Sequence, residues 1–199
     1  VPVDLSVALP TPIPPLVLKT DSLPQVLHVL VNNSGATWGA PLEEYPDNAF
    51  TKLMTLNVQR VFTLTQALLP LLEVGGKRDG CGRVINIGSI NGVNVPGMET
   101  YAYSASKAAL HMLTRHLAAN VDGSVTVNAL ALGPFRSKMM AATLDAAEAA
   151  IAGALPSNRI GTPQDVASAC IWLASRGGEW VTGTIIPVDG GSLLGSAKL

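Results

Sequence analysis

Residues Arg83 to Arg115 read RVINIGSINGVNVPGMETYAYSASKAALHMLTR. Arg83 to Ser89 is a β-branched run ending in Gly and Ser, the pattern of a buried strand that stops at a turn. Ser104 to Leu117 carries helix formers with apolar residues at helical spacing, so a helix is expected there. Tyr103 and Lys107 are four residues apart, which places both on one face of that helix with adjacent side chains. A free tyrosine titrates near pH ~10, and an ammonium a few ångströms away favours its phenolate. Such a phenol can give or take a proton near neutral pH. Ser89, at the end of the preceding strand, is placed to hydrogen-bond the same substrate oxygen. Together these groups suit the interconversion of an alcohol and a carbonyl, with hydride carried by a nicotinamide.

A Tyr-x-x-x-Lys pair by itself arises by chance in roughly one such chain in ten. Its context carries the argument: a strand, a serine turn, and the small-residue helix from Ala102 to Ala109. Through these motifs the chain resembles the short-chain dehydrogenases/reductases. The INIGS turn, the YAYSASKAALH helix and the GATWGAPLEEYP loop are similar to the branch containing the 3-oxoacyl-carrier-protein reductase attached to rhamnolipid synthesis. The resemblance runs from about His28 to the C-terminus. It implies an α/β fold, a Rossmann-like doubly wound parallel sheet flanked by helices, lacking its first βαβ portion. The retained strands would be the fourth to seventh of an order resembling 3-2-1-4-5-6-7.

Composition sets the outer bounds. The chain has 199 residues, 48% hydrophobic, with a formal net charge of −1, which describes one globular domain. No basic patch points to nucleic acid, and no apolar run reaches the ~18 residues that a membrane helix needs. Cys81 and Cys170 are too few for a disulfide framework and have no metal spacing, so a reducing, cytoplasmic setting is expected. Asn32-Asn33-Ser34 matches a glycosylation sequon, a reading that does not suit such a setting. His111 and His116 do not share a helix face well enough to bind a metal and read as surface or packing residues.

Residues 1–24 hold six of the fourteen prolines, a density incompatible with regular helix. They are expected to form an irregular remnant, with the reductase-like domain over 25–199. Val3-Asp4-Leu5-Ser6 resembles the end of the family's third strand, where Asp4 would approach the adenine. The family opens with a strand and a Gly-rich turn at the pyrophosphate, and no such turn occurs here, so an N-terminally incomplete chain is expected. The segment that separates NAD from NADP goes with it; NADP is the expected cofactor, with NAD left open.

From Gln25 the pattern becomes regular. Val26 to Val31 reads as a strand, followed by Asn32-Asn33-Ser34-Gly35, which matches the family's Asn-Asn-Ala-Gly except at Ser34. The resemblance implies that Asn32, Ser34 and Gly35 line the cofactor groove. Asp47 is a candidate N-cap for a long helix through Phe50, Leu53, Val61 and Leu72, expected to end at Gly75-Gly76. Asn57 lies inside it; by resemblance it kinks the helix and holds a water in a relay to the lysine, whereas on general grounds it is a satisfied buried polar group.

Ser124 to Leu130 is the next strand. It leads to Leu132-Gly133-Pro134-Phe135, where the family has Pro-Gly, so the resemblance implies a cofactor contact at Gly133, Phe135 and Ser137. Met139 to Ala154 is Ala-rich and resembles the lid over the substrate, which favours an apolar or acyl substrate. Thr162-Pro163-Gln164-Asp165 is a helix entry with Thr162 as N-cap, and Thr184 to Val188 is the last strand. A hydrolase elbow around Ser89 would need Gly two residues to either side, and this chain has Ile87 and Asn91 there.

The family resemblance therefore implies an NAD(P)-dependent oxidoreductase with Tyr103 as acid/base, Lys107 lowering its pKa and gripping the ribose, Ser89 on the substrate oxygen and Asn57 in the relay. Tyr103 and Lys107 are thereby also cofactor contacts. Homodimer or homotetramer contacts are implied through the 48–72 and 103–117 helices and the last strand. The alternative is a non-catalytic truncated remnant acting through that interface, with the 26–31 strand as an uncovered edge.

Overall fold

The computed structural model describes residues 26–80, 82–137 and 139–195. Asp4, Cys81 and the Pro-rich residues 1–24 lie outside the described residues. The sheet has four parallel strands in the order β1 (Val29–Asn32), β2 (Gly82–Ile87), β3 (Val125–Leu132) and β4 (Ile185–Val188). Each strand pairs with its chain neighbour, as expected for the fourth to seventh strands of the larger order. Parallel strands need crossovers, and helices supply them on both faces.

Segment α1 (Asp47–Met54), a π-helical stretch (Thr55–Gln59) and α2 (Arg60–Asp79) run end to end between β1 and β2. The remaining helices are α3 (Tyr101–Asn120), α4 (Ala141–Ala154) and α5 (Pro163–Ala174). Successive strand residues face opposite sides of the sheet. Val84 accordingly packs with Leu30, Leu72, Val125 and Val127, while Ile85 packs with Leu130 and Leu173 of α5. Leu72 of α2 is fully buried in the first cluster. Leu72→Ala is expected to cost about 2–5 kcal/mol, read as a fall in the urea midpoint with no change in slope.

Three local expectations change. Asp47 is the first residue of α1, and Pro46 takes the cap position without a side-chain hydrogen bond. The long helix passes through Gly75-Gly76 and is capped at Gly80, whose φ of 70° lets its N–H donate to the Gly76 carbonyl. The two glycines serve close packing instead: a Cβ on Gly75 would lie 2.5 Å from the Leu27 carbonyl oxygen, and one on Gly76 would lie 2.1 Å from that of Ser124. Strand β1 begins at Val29, later than expected. Among the described residues it is the outer strand of the sheet.

The Thr162 cap agrees with expectation. Its hydroxyl accepts from the Asp165 amide, Asp165 accepts from the Thr162 amide, and Pro163 opens α5. The Arg159 guanidinium and the Thr162 donors hold the Asp165 carboxyl well below the usual carboxylate range.

Candidate active site

Because all four strands run the same way, the turns after β1, β2 and β3 leave the sheet from one edge. In sheets of this kind that edge is where ligands bind. A buried polar chain holds the strand ends in register. Asn32 and Asn86 are direct partners across β1 and β2. Asn32 Nδ2 donates to Asn86 Oδ1 at 2.8 Å and to Thr65 Oγ1 of α2 at 3.2 Å. Asn86 in turn donates to Thr114 of α3 at 2.9 Å. Each strand end is thereby tied to a helix, and the amides that would be costly unpaired are satisfied.

The turn after β1 is clamped by Asn57. Its amide accepts from the Ala36 N–H and donates to the Ala36 carbonyl, both at 3.0 Å, and also donates to Ser106 of α3 at 2.9 Å. Asn57 sits in the π-helical stretch, an irregularity that often marks functional positions. Gly35 lies against the same group. A Cβ there would fall 3.2 Å from Asn57 Oδ1 and 3.7 Å from Lys107 Nζ.

After β2 the chain turns at Ser89, which is extended (φ −156°, ψ 149°) and accepts from the Asn91 amide before a short turn of 3-10 helix, Ile90–Gly92. The Ser89 hydroxyl faces the Tyr103 phenol closely enough to favour its phenolate. Lys107, one turn after Tyr103, donates from Nζ to the Ile87 carbonyl at 2.7 Å and lies 5.6 Å from the centre of the Tyr103 ring. Asn57, Ser89, Tyr103, Lys107 and Gly35 are thus brought together from the π-helical stretch, two turns and one helix.

The electrostatics differ from the expectation that Lys107 lowers the Tyr103 pKa. Burial pushes the phenol up from its ordinary value, and the Ser89 hydroxyl is what opposes the rise. Burial also takes the Lys107 ammonium down to about 8. One of its three protons is already committed to the Ile87 carbonyl.

The third turn is less tightly joined to this group. Gly133 packs on the last strand's exit, where a Cβ would come 2.7 Å from Asp189 Cα. The Phe135 ring lies over Gly161, and Phe135 and Gly161 form a short parallel bridge. Ser137 is exposed, and its hydroxyl accepts from the Met140 amide. A cavity of about 270 Å³ opens here, lined by Pro134, Phe135, Arg159, Asp189 and Gly190 among others. None of Asn57, Ser89, Tyr103 and Lys107 lines it. Ser34 is exposed on the first turn.

Two contributors gave no signal in the sequence. The Tyr45 hydroxyl donates to the Trp38 carbonyl and accepts from the Ala102 amide at 3.3 Å, so it satisfies an orphan N–H in the first turn of α3 that Thr100 leaves uncapped. His111, expected at the surface or in ordinary packing, is 4% exposed and lies behind the Ser89 turn, while His116 is exposed. Among the described residues no group of His, Cys, Asp and Glu is placed to hold a metal ion. No helix among them is long and apolar enough to cross a membrane.

A Rossmann-like parallel sheet with Ser89, Tyr103 and Lys107 gathered at its C-terminal edge defines a class, and sequence comparison agrees. The chain belongs to the short-chain dehydrogenase/reductase family: a family model described as enoyl-(acyl carrier protein) reductase matches residues 5–192. The rhamnolipids biosynthesis 3-oxoacyl-[acyl-carrier-protein] reductase of Pseudomonas aeruginosa is 44% identical over 83% of this chain. A 3alpha-hydroxysteroid dehydrogenase of Mediterraneibacter gnavus is 35% identical over 81% of it. The chain spans 66% and 63% of the lengths of these two curated relatives. Among solved structures, the Pseudomonas aeruginosa RhlG/NADP active-site complex superposes with a TM-score of 0.79 at 44% identity, covering 83% of this chain and 66% of that one. A gluconate 5-dehydrogenase from Burkholderia cenocepacia, in complex with NADP and tartrate, superposes at 0.78 with 30% identity, covering 85% and 66%.

Proposed function

We propose that this chain carries the catalytic half of an NADP-dependent oxidoreductase that interconverts a secondary alcohol and a ketone, with a 3-oxoacyl thioester as the favoured substrate class. The observation that carries the reading is the convergence of Ser89, Tyr103 and Lys107 around one buried point beside Gly35. The residues fit the nicotinamide-ribose end of a dinucleotide. Lys107 has two N–H donors beyond the one given to Ile87, and the absent side chain at Gly35 leaves the approach to its ammonium open. The nicotinamide supplies the hydride.

In this reading Lys107 grips the ribose hydroxyls, and Asn32, Ser34 and Gly35 form one wall of the groove. Gly133, Phe135 and Ser137 form the opposite wall, and Asp4 contributes at the adenine. Tyr103 holds the proton that the substrate oxygen takes up on reduction. Ser89 donates a hydrogen bond to that oxygen. Asn57 keeps the first turn seated and supports the relay that returns a proton to Lys107. The exposed cofactor-side turns and the Ala-rich α4 suit an apolar or acyl chain, and the 44% identical 3-oxoacyl-carrier-protein reductase supports the same class. Exposed apolar side chains on α1, α2 and α3, including Phe50, Phe62 and Met112, support assembly as a homodimer or homotetramer. The free, half-buried Cys170 thiol suits a cytoplasmic setting.

Fluorescence titration of the purified chain with NADPH and NADH, alongside turnover of a 3-oxoacyl thioester, tests the proposal. Saturable binding tighter for NADPH, with turnover, is the expected result. A folded chain that binds neither dinucleotide would overturn it.

A further inference from the structure

The Ser89 turn is held from behind by one side chain. His111 is two helical turns after Tyr103 and one after Lys107 on α3, and its imidazole lies between the two glycines that flank the turn. A Cβ on Gly88 would come 2.4 Å from His111 Nε2, and one on Gly92 would come 2.9 Å from His111 Cε1. Both distances are shorter than real side chains tolerate, so the ring occupies the volume that side chains at 88 and 92 would take. The Gly92 carbonyl lies beside the ring and favours its protonated form, while Nε2 is buried and has no hydrogen-bond partner among the described residues.

We infer that His111 is a positioning residue: its imidazole, wedged between Gly88 and Gly92, sets the turn that aims Ser89 at Tyr103. The inference rests on the roles proposed above for Ser89 and Tyr103. The turn's own bonds are the Asn91 amide to Ser89 Oγ, Gly92 N–H to the Ser89 carbonyl, and the Val93 and Asn94 amides to the Ile90 carbonyl, while Gly88 N–H ties its start to the Leu130 carbonyl of β3. Gly92 also packs directly on the α3 backbone, a Cβ there falling 2.6 Å from the Lys107 carbonyl carbon. The wedge thus locks the turn to the helix that carries Tyr103 and Lys107. The charged groups facing the ring are Lys107 and Arg115, both cationic, and with burial they take His111 down to about 4. The ring is therefore uncharged at neutral pH.

Tyrosine ring-carbon NMR of the full chain, followed as pH is raised, reads the placement of Ser89 without any need for turnover. The Ser89 hydroxyl lowers the Tyr103 pKa, so His111→Ala is expected to move the Tyr103 titration upward, as Ser89→Ala does. The double variant should show no further shift. In amide exchange, loss of the Gly92 contact should speed residues 91–94 by about tenfold, with strand β3 unchanged. His111→Gln, which refills part of the volume between Gly88 and Gly92, should restore part of both. In the NADPH assay His111→Ala should lower kcat and leave KM for NADPH unchanged. An unmoved Tyr103 titration in a folded His111→Ala, or additive shifts in the double variant, would overturn the inference. A wild-type chain with no turnover would instead overturn the proposed function, while the titration and exchange results would still decide the role of His111.

Discussion

Tyr103→Phe is expected to reduce kcat/KM for the 3-oxoacyl substrate by about 10²- to 10⁴-fold, the range for removing a positioned general acid. The ring stays, so the packing of α3 on the Ser89 turn is kept. What is lost is one hydroxyl facing Ser89, a change of at most about 1 kcal/mol in stability. Binding of NADPH should hardly change, because Lys107 and the Gly35 turn are intact. The pH dependence has a definite sign. Burial places the Tyr103 pKa above its ordinary value, so the phenol is protonated at neutral pH. Reduction of a ketone uses the protonated form, so the part of its pH profile that Tyr103 sets should be level through neutral pH and fall only in strongly alkaline solution. Oxidation of the alcohol uses the phenolate and should climb over the same range. A Phe variant retaining more than a tenth of the wild-type rate would show that the proton comes from elsewhere.

Lys107→Met is expected to change stability and activity in opposite directions. The ammonium is buried, with its pKa depressed to about 8 from 10.5. In the unfolded chain it holds its proton up to the higher value. Between those two pH values the unfolded state binds more protons, so wild-type stability rises with pH there. It is greatest above 10.5 and is lost as pH falls to 8. At pH 7 the folded protein bears the full burial penalty, about 3 kcal/mol from the size of the depression. Methionine removes that penalty and also removes the bond to the Ile87 carbonyl, a loss of about 1–2 kcal/mol. The net expectation at pH 7 is a gain of about 1–2 kcal/mol in urea unfolding, shrinking by about 1.4 kcal/mol per pH unit above 8. Activity and dinucleotide binding should meanwhile be lost. A residue retained at a cost in stability is what a functional site looks like. Equal loss of stability and activity would instead mark Lys107 as a structural residue.

Leu72→Ala and the two titrations thus probe different layers: the packed core, the ammonium at the sheet edge, and the proton donor itself. Not every layer was equally legible in advance. Periodicity placed β2, β3 and α3 because those segments are long and uniformly apolar or helical, and the cap at Thr162-Pro163-Asp165 is written in consecutive residues. Helix ends were harder. Gly75-Gly76 reads as a stop signal, yet neither has a left-handed φ, and only the approach of the Leu27 and Ser124 carbonyls explains their lack of a side chain.

The four-residue spacing of Tyr103 and Lys107, the serine at the end of β2, and the NNSG turn after β1 are local patterns. They suffice for the family, the order of the strands and the residues proposed to meet substrate, because side chains on one helix face or at one strand end are neighbours by geometry alone. The environment of those residues is not local. That Tyr103 is pushed up by burial, that Lys107 spends a proton on Ile87, that Asn57 clamps Ala36, and that His111 fills the space between Gly88 and Gly92 all depend on contacts between segments distant in the chain. Desolvation is set by everything packed around a group at once, so the tertiary structure, and not the motif, decides the protonation states on which the chemistry runs.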